Sequence, residues 1–171
     1  SHLRVFENAL ATVGVGLRSP KLQFWILSRN RGKLLEETIR SAEAQKKKGV
    51  EILVFDNSDD ESIAELVRTN FPDVTLVRRR PVLPALQHFK LILEEAHGEF
   101  VTLFHDDDVL SPGYFEHMIR LLDENPSAAA VGCDAQIIRE KTLTADLVVG
   151  RSNRSRHFSS AEDLLLPYLK F

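Results

Sequence analysis

The stretch FVTLFHDDDVLSPGYFEHM, Phe100 to Met118, decides how this chain is read. An apolar run leads to a lone histidine, three aspartates follow, and a proline–glycine step opens a helical pattern. Adjacent carboxylates destabilise one another unless positive charge sits among them. The triplet therefore asks for a cation, and the residues around it say where in a fold it stands.

Working outward, LQFWIL from Leu22 predicts a buried strand, and GKLLEETIRSAEAQKKKG a helix with Leu34, Leu35, Ile39 and Ala42 on one face and Gly49 as its stop. Val50 to Phe55 is a continuous apolar run, as expected of a strand covered on both sides. DNSDDES is a turn whose acids favour the positive end of a helix over Glu61 to Asn70. A short strand VTLV follows, then a helix from Leu83 to Ala96 with Leu86, Phe89, Ile92 and Leu93 facing in. EFVTLFH is the fourth strand. Ser111 and Pro112 cap and start a helix over Gly113 to Glu124, and AAAVGC is a fifth strand. Past Asp134, AQII and DLVV read as strands, RSNRSRHF as a basic loop and SSAEDLLLPYL as a capped helix.

Strand and helix alternate four times at short spacing. That predicts an α/β fold, a three-layer α/β/α sandwich with a mostly parallel sheet. Residues 1–21 read as an N-terminal extension and 22–171 as the domain. The chain of 171 residues is 43% hydrophobic and 27% charged, ordinary values for a globular domain, and its net charge of −3 argues against nucleic acid as partner. With one cysteine, Cys133, the chain cannot form an internal disulfide. No apolar run approaches the ~20 residues that span a bilayer.

Ligands of parallel sheets bind beyond the carboxyl ends of the strands. SRNR follows strand one, DNSDD strand two and HDDD strand four, so the three unusual clusters share one edge. Converging carboxylates suit a hard divalent cation, Mg²⁺ or Mn²⁺, completed by substrate phosphates and water. The chain lacks a glycine-rich phosphate loop, so metal would neutralise the phosphates. The plain alternative for the triplet is a solvated acidic turn before a helix. For Arg78 to Arg80 and Lys46 to Lys48, solvated faces are the expectation. Zinc is rejected because His88 and His105 lack partners at zinc spacing. A dehalogenase-type phosphatase or a phosphoreceiver domain would carry its acids after strand one, where SRN stands.

ILSRNRGKLLEETIRSAEAQ, ILVFDNSDDES and ALQHFKLILEEAHGEFVTLFHDDDVLSPGYFEHMIRLLDENPSAA, in that order, resemble the family 2 inverting glycosyltransferases with the GT-A fold, the nucleotide-diphospho-sugar transferase-like architecture. The resemblance implies a nucleotide-diphosphate sugar donor, a UDP-sugar before others, a divalent metal, and a glycan or lipid-linked acceptor. It implies that Ser28, Arg29 and Asn30 line the base pocket, that Asp56 contacts the base, and that the triplet is the DxD motif. Simple alternation pairs Asp106 with Asp108 on one side. Anchoring on Pro112 instead makes Asp106 the ribose contact, with Asp107 and Asp108 on the metal and His105 in place of the motif's first acid. The second alignment is preferred because strand ends bend. Arg29 replaces a common aromatic, and no residue matches the catalytic base. The expectation is a donor-binding portion without the acceptor-side C-terminal part. A cytoplasmic location follows, with peripheral association at the membrane's cytoplasmic face. The alternative is a non-catalytic or truncated nucleotide-sugar-binding domain.

Overall fold

Four strands pair in parallel in a computed structural model that describes residues 20–133 and 135. They are β1 (Leu22–Ser28), β2 (Val50–Asp56), β3 (Thr75–Arg78) and β4 (Phe100–His105), in the order β3-β2-β1-β4. Helices α1 (Gly32–Glu43), α2 (Ser62–Asn70), α3 (Ala85–Leu93) and α4 (Tyr114–Glu124) alternate with them. The chain divides into two units, Ser1–Asp134 and Ala135–Phe171, and every element here belongs to the first.

Strand alternation splits the core into two layers. Leu22, Phe24 and Ile26 of β1 and Ile52 and Val54 of β2 pack with Leu35, Ile39 and Ala42 of α1, Ile63 and Val67 of α2 and Phe115 of α4. On the opposite face Trp25, Leu53 and Phe55 meet Ile92 of α3. Helices therefore cover both faces, as the three-layer sandwich requires. The register sets Ser28 beside Asp56 and Asp56 beside Arg78, so the strand ends are level at one edge.

Several boundaries differ from expectation. α1 stops at Glu43, because Ala44 is exposed and no other apolar residue before Val50 extends its buried face; Gly49, at φ 90°, turns the chain into β2. In α3 the inward residues are His88 and Ile92, while Leu86 and Leu93 are 80% and 54% exposed. Only a narrow stripe of this helix reaches Trp25 and Phe55, and the other leucines fall outside it. Ser111 does not cap α4. Gly113 takes φ 82° between Pro112 and the first helical residue, so helical geometry begins one step later. AAAVGC forms no strand: residues 128–133 are irregular and mostly exposed, since small alanines with no paired neighbour bury little. The expectations for residues 1–19, and for the segments past Asp134, lie outside the described residues.

Candidate functional site

The level strand ends place Ser28, Asp56, Arg78 and the triplet on one rim. Asp106 is buried, and it is held from two sides. The Ser28 hydroxyl donates to its Oδ2 at 2.8 Å, and Arg31 Nη1 stands 3.3 Å from its Oδ1. The same Arg31 nitrogen donates to Asp107 Oδ2 at 2.7 Å. Two carboxylate oxygens thus converge on one positively charged atom. Asp108 is exposed; its carbonyl accepts from Thr38 Oγ1 at 2.7 Å, and among the described residues its carboxylate has no hydrogen-bond or ion-pair partner. His105 is exposed at the end of β4.

The loop after β1 is tied to the loop after β2. Asn30 takes φ 57°, a left-handed conformation that asparagine tolerates better than most residues. Its backbone N–H donates to Ser58 Oγ at 2.9 Å, and its side-chain oxygen accepts from the Asp59 N–H at 2.9 Å. The Asn30 amide also donates to the Asp59 carboxylate, which Arg29 pairs at 3.3 Å. That amide bond, assisted by Arg29, holds the Asp59 carboxyl below the usual range. Ser28, Arg29 and Asn30 are thus brought to the rim together, but each is engaged with an acid-bearing loop.

Asp56 is wholly buried. Its Oδ1 accepts the Ser58 N–H at 2.8 Å, whereas its Oδ2 lies 3.4 Å from Arg78 Nε without a hydrogen bond among the described residues. Arg78 also pairs with Glu61 and donates to the Asp60 carbonyl; Arg80 donates to the carbonyls of Ser58 and Asp60. Asn57 exchanges two 2.9 Å hydrogen bonds with the Leu83 backbone, which fixes the entry to α3. The expectation of solvated faces fails for Arg78 and Arg79, whose side chains are 12% and 20% exposed. Arg31, Asn57, Ser58, Arg78 and Arg80 are the rim residues that sequence reasoning missed. For Arg78 a signal existed: a charge ending a strand that runs parallel beside Asp56.

His88 of α3 is buried, with its Nε2 unpartnered among the described residues. Burial pushes its imidazole below the ordinary value, Arg79 acts the same way, and Asp56 and Glu95 oppose them. A neutral ring therefore sits within electrostatic reach of Asp56.

The donor set fits a divalent cation in one respect. Arg31 marks a point where Asp106 and Asp107 oxygens meet a positive charge. No cluster of three or more His, Cys, Asp or Glu poised for metal occurs among the described residues. A cation here would have one or two protein carboxylates and would take its remaining ligands from phosphate and water, the habit of Mg²⁺.

Comparison with known proteins bears on the family and the fold. Residues 24–160 match the family model described as glycosyl transferase family 2. A Mycobacterium tuberculosis protein, MT1568, is 30% identical over 121 residues, covering 70% of this chain and 38% of its own length. Among solved structures, S. aureus TarS 1-349 is similar with TM-score 0.53 at 21% identity, covering 62% of this chain and 33% of TarS. TarS has also been solved with UDP and with UDP-GlcNAc. The mannosyltransferase PcManGT from Pyrobaculum calidifontis, in complex with GDP-Man and Mn²⁺, matches with TM-score 0.53 at 18% identity, over 70% of this chain and 39% of its own. This chain thus spans between a third and two fifths of the length of these relatives. The structural matches establish the GT-A fold.

Proposed function

We propose that this chain, which belongs to glycosyl transferase family 2, binds a nucleotide-diphosphate sugar at the rim and serves its transfer, with inversion, to a glycan or lipid-linked acceptor. The observation that carries the reading is the convergence of Asp106 and Asp107 on one cationic point, level with buried Asp56 and Ser28 on the same sheet edge.

Each rim residue then has a task. Asp56 keeps a buried oxygen that accepts no hydrogen bond among the described residues, an acceptor suited to the ring N–H that uracil and guanine present and that adenine and cytosine lack. A UDP-sugar is the first donor, in keeping with the UDP and UDP-GlcNAc of TarS; the GDP-Man of PcManGT makes guanine the second. Arg29 and Asn30 fix the loop against Asp59 and shape the base pocket. Asp106, fixed by Ser28, accepts from the ribose hydroxyl. Asp107 and its exposed neighbour Asp108 hold Mg²⁺ or Mn²⁺. The bound cation supplies charge stabilisation for the departing diphosphate. Transfer further needs a carboxylate to take the acceptor's proton, and no described residue is assigned that role. The acceptor would be met at the cytoplasmic face of a membrane. No helix among the described residues is long and apolar enough to cross one.

A thermal-shift series with UDP, GDP, ADP and CDP, each with and without Mn²⁺, tests the reading. UDP or GDP should stabilise the wild type in a metal-dependent way, and Asp107→Asn should lose the metal-dependent part while keeping the unliganded melting temperature. Shifts indifferent to Mn²⁺, or equal across the four bases, would reject it. Release or transfer of sugar from UDP-GlcNAc or GDP-Man then separates an enzyme from a domain that only binds its donor.

A further inference from the structure

We infer that Arg31 is the built-in rival of the metal: it neutralises Asp106 and Asp107 until a divalent cation binds, and then moves to the donor's diphosphate. This rests on the donor-site reading above.

Asp107 Oδ2 is 2.7 Å from Arg31 Nη1. A Mg²⁺ ion would sit roughly 2.1 Å from the same oxygen. Guanidinium and dication cannot share that place, so binding one displaces the other. The competition is between ions of the same sign for the Asp107 oxygen, and a dication brings the triplet one more positive charge than Arg31 offers.

The other rim arginines are committed elsewhere. Arg29 pairs with Asp59, Arg79 with Glu95, and Arg78 and Arg80 brace the loop of Ser58 to Glu61. Among the described residues, Arg31 is the one rim arginine whose side-chain partners are all in the triplet. It immediately precedes α1, and its side chain is half exposed. Once displaced, it stays on a long flexible stem at the rim. A guanidinium fork matches diphosphate oxygens in pairs, which a point charge does not. The same side chain thus weakens binding of the bare metal and strengthens binding of the metal-bound donor, and this makes the rim favour the two together.

Calorimetric titration of the whole chain tests this with Mn²⁺ alone, and then with UDP or GDP at saturating Mn²⁺. Three proteins are compared: wild type, Arg31→Gln, and Lys33→Gln, which removes an equal charge two residues away. Arg31→Gln should bind Mn²⁺ roughly two- to tenfold tighter, the scale of removing one competing ion pair. It should bind the diphosphate roughly tenfold weaker, through loss of charge-assisted hydrogen bonds. Lys33→Gln should stay near wild type in both. Mn²⁺ affinity in Arg31→Gln no tighter than wild type overturns the inference, as does an equal gain in Lys33→Gln or an unchanged diphosphate affinity. Mn²⁺ that binds neither wild type nor Arg31→Gln overturns the donor-site reading along with it.

Discussion

Asp56 lies where water does not reach, and the cation beside it is Arg78 at 3.4 Å. A buried charge stripped of its partner is costly, about 3–5 kcal/mol for a close pair. This pair is not a tight hydrogen bond, so Arg78→Ala should lower the unfolding free energy by about 3 kcal/mol, at the lower end of that range. Urea unfolding checks it. A loss under about 0.5 kcal/mol would return Arg78 to the status of a solvated surface residue. His88 makes a separate prediction, in pH. Burial holds its imidazole below the ordinary 6.5, with Arg79 assisting and Asp56 and Glu95 opposing. Between 6.5 and the lower folded value, the unfolded chain takes a proton that the folded chain refuses. Its contribution to stability is therefore complete above 6.5 and is lost as pH falls through that window. Comparing urea midpoints at pH 7.5 and 5.5, the wild type should lose more than His88→Gln; equal losses would show that His88 is not held neutral by the fold.

At the scale of elements, α3 shows how a helix pattern misleads. Leu86, Phe89, Ile92 and Leu93 form a plausible apolar face by spacing, yet the helix turns His88 and Ile92 inward. The sheet face beneath α3 offers Trp25, Leu53 and Phe55, a strip that admits one narrow stripe of side chains. Ile92→Ala should accordingly cost about 2–5 kcal/mol, and Leu86→Ala should stay within about 0.5 kcal/mol. Matching losses in urea would restore the spacing-based face. β4 behaves in the same way. Phe100, Thr102 and Phe104 are half-buried, and alternate residues Val101 and Leu103 are exposed on the α3 side. The continuous apolar run of β2 implied two covered faces, and β1 and β2 are buried on both, whereas β4 at the edge of the described sheet is not. Gly98, which leads into β4, is a steric requirement. A Cβ there would stand 2.8 Å from Gln23 Cγ and 2.9 Å from the Phe100 carbonyl oxygen, while Gln23 Oε1 accepts the N–H groups of His97 and Gly98.

For the molecule as a whole, ligand and fold are linked by mass action. A nucleotide and metal that bind only the folded chain add about 2.7 kcal/mol at a hundredfold excess over Kd, enough to raise Tm by several degrees in a unit of about this size. Chelating Mn²⁺ with EDTA should remove that gain from the UDP complex and leave the unliganded Tm unchanged. A Tm that falls on chelation without nucleotide would instead point to a structural metal.

Periodicity and element order were legible in the chain because they are local: strands of two-residue period, helices of 3.6, and breakers between them follow from each segment's own side chains. They determined the α/β/α class, and with it the common edge at which Ser28, Asp56 and Asp106 to Asp108 gather. Partners were not legible. That Ser28 meets Asp106, that Arg31 closes on Asp106 and Asp107, and that Arg78 sits beside Asp56 depend on strands and loops far apart in sequence. An arginine's sequence neighbours do not reveal whether water or a carboxylate will receive it. Only the packed sheet brings those charges within a few ångströms of one another.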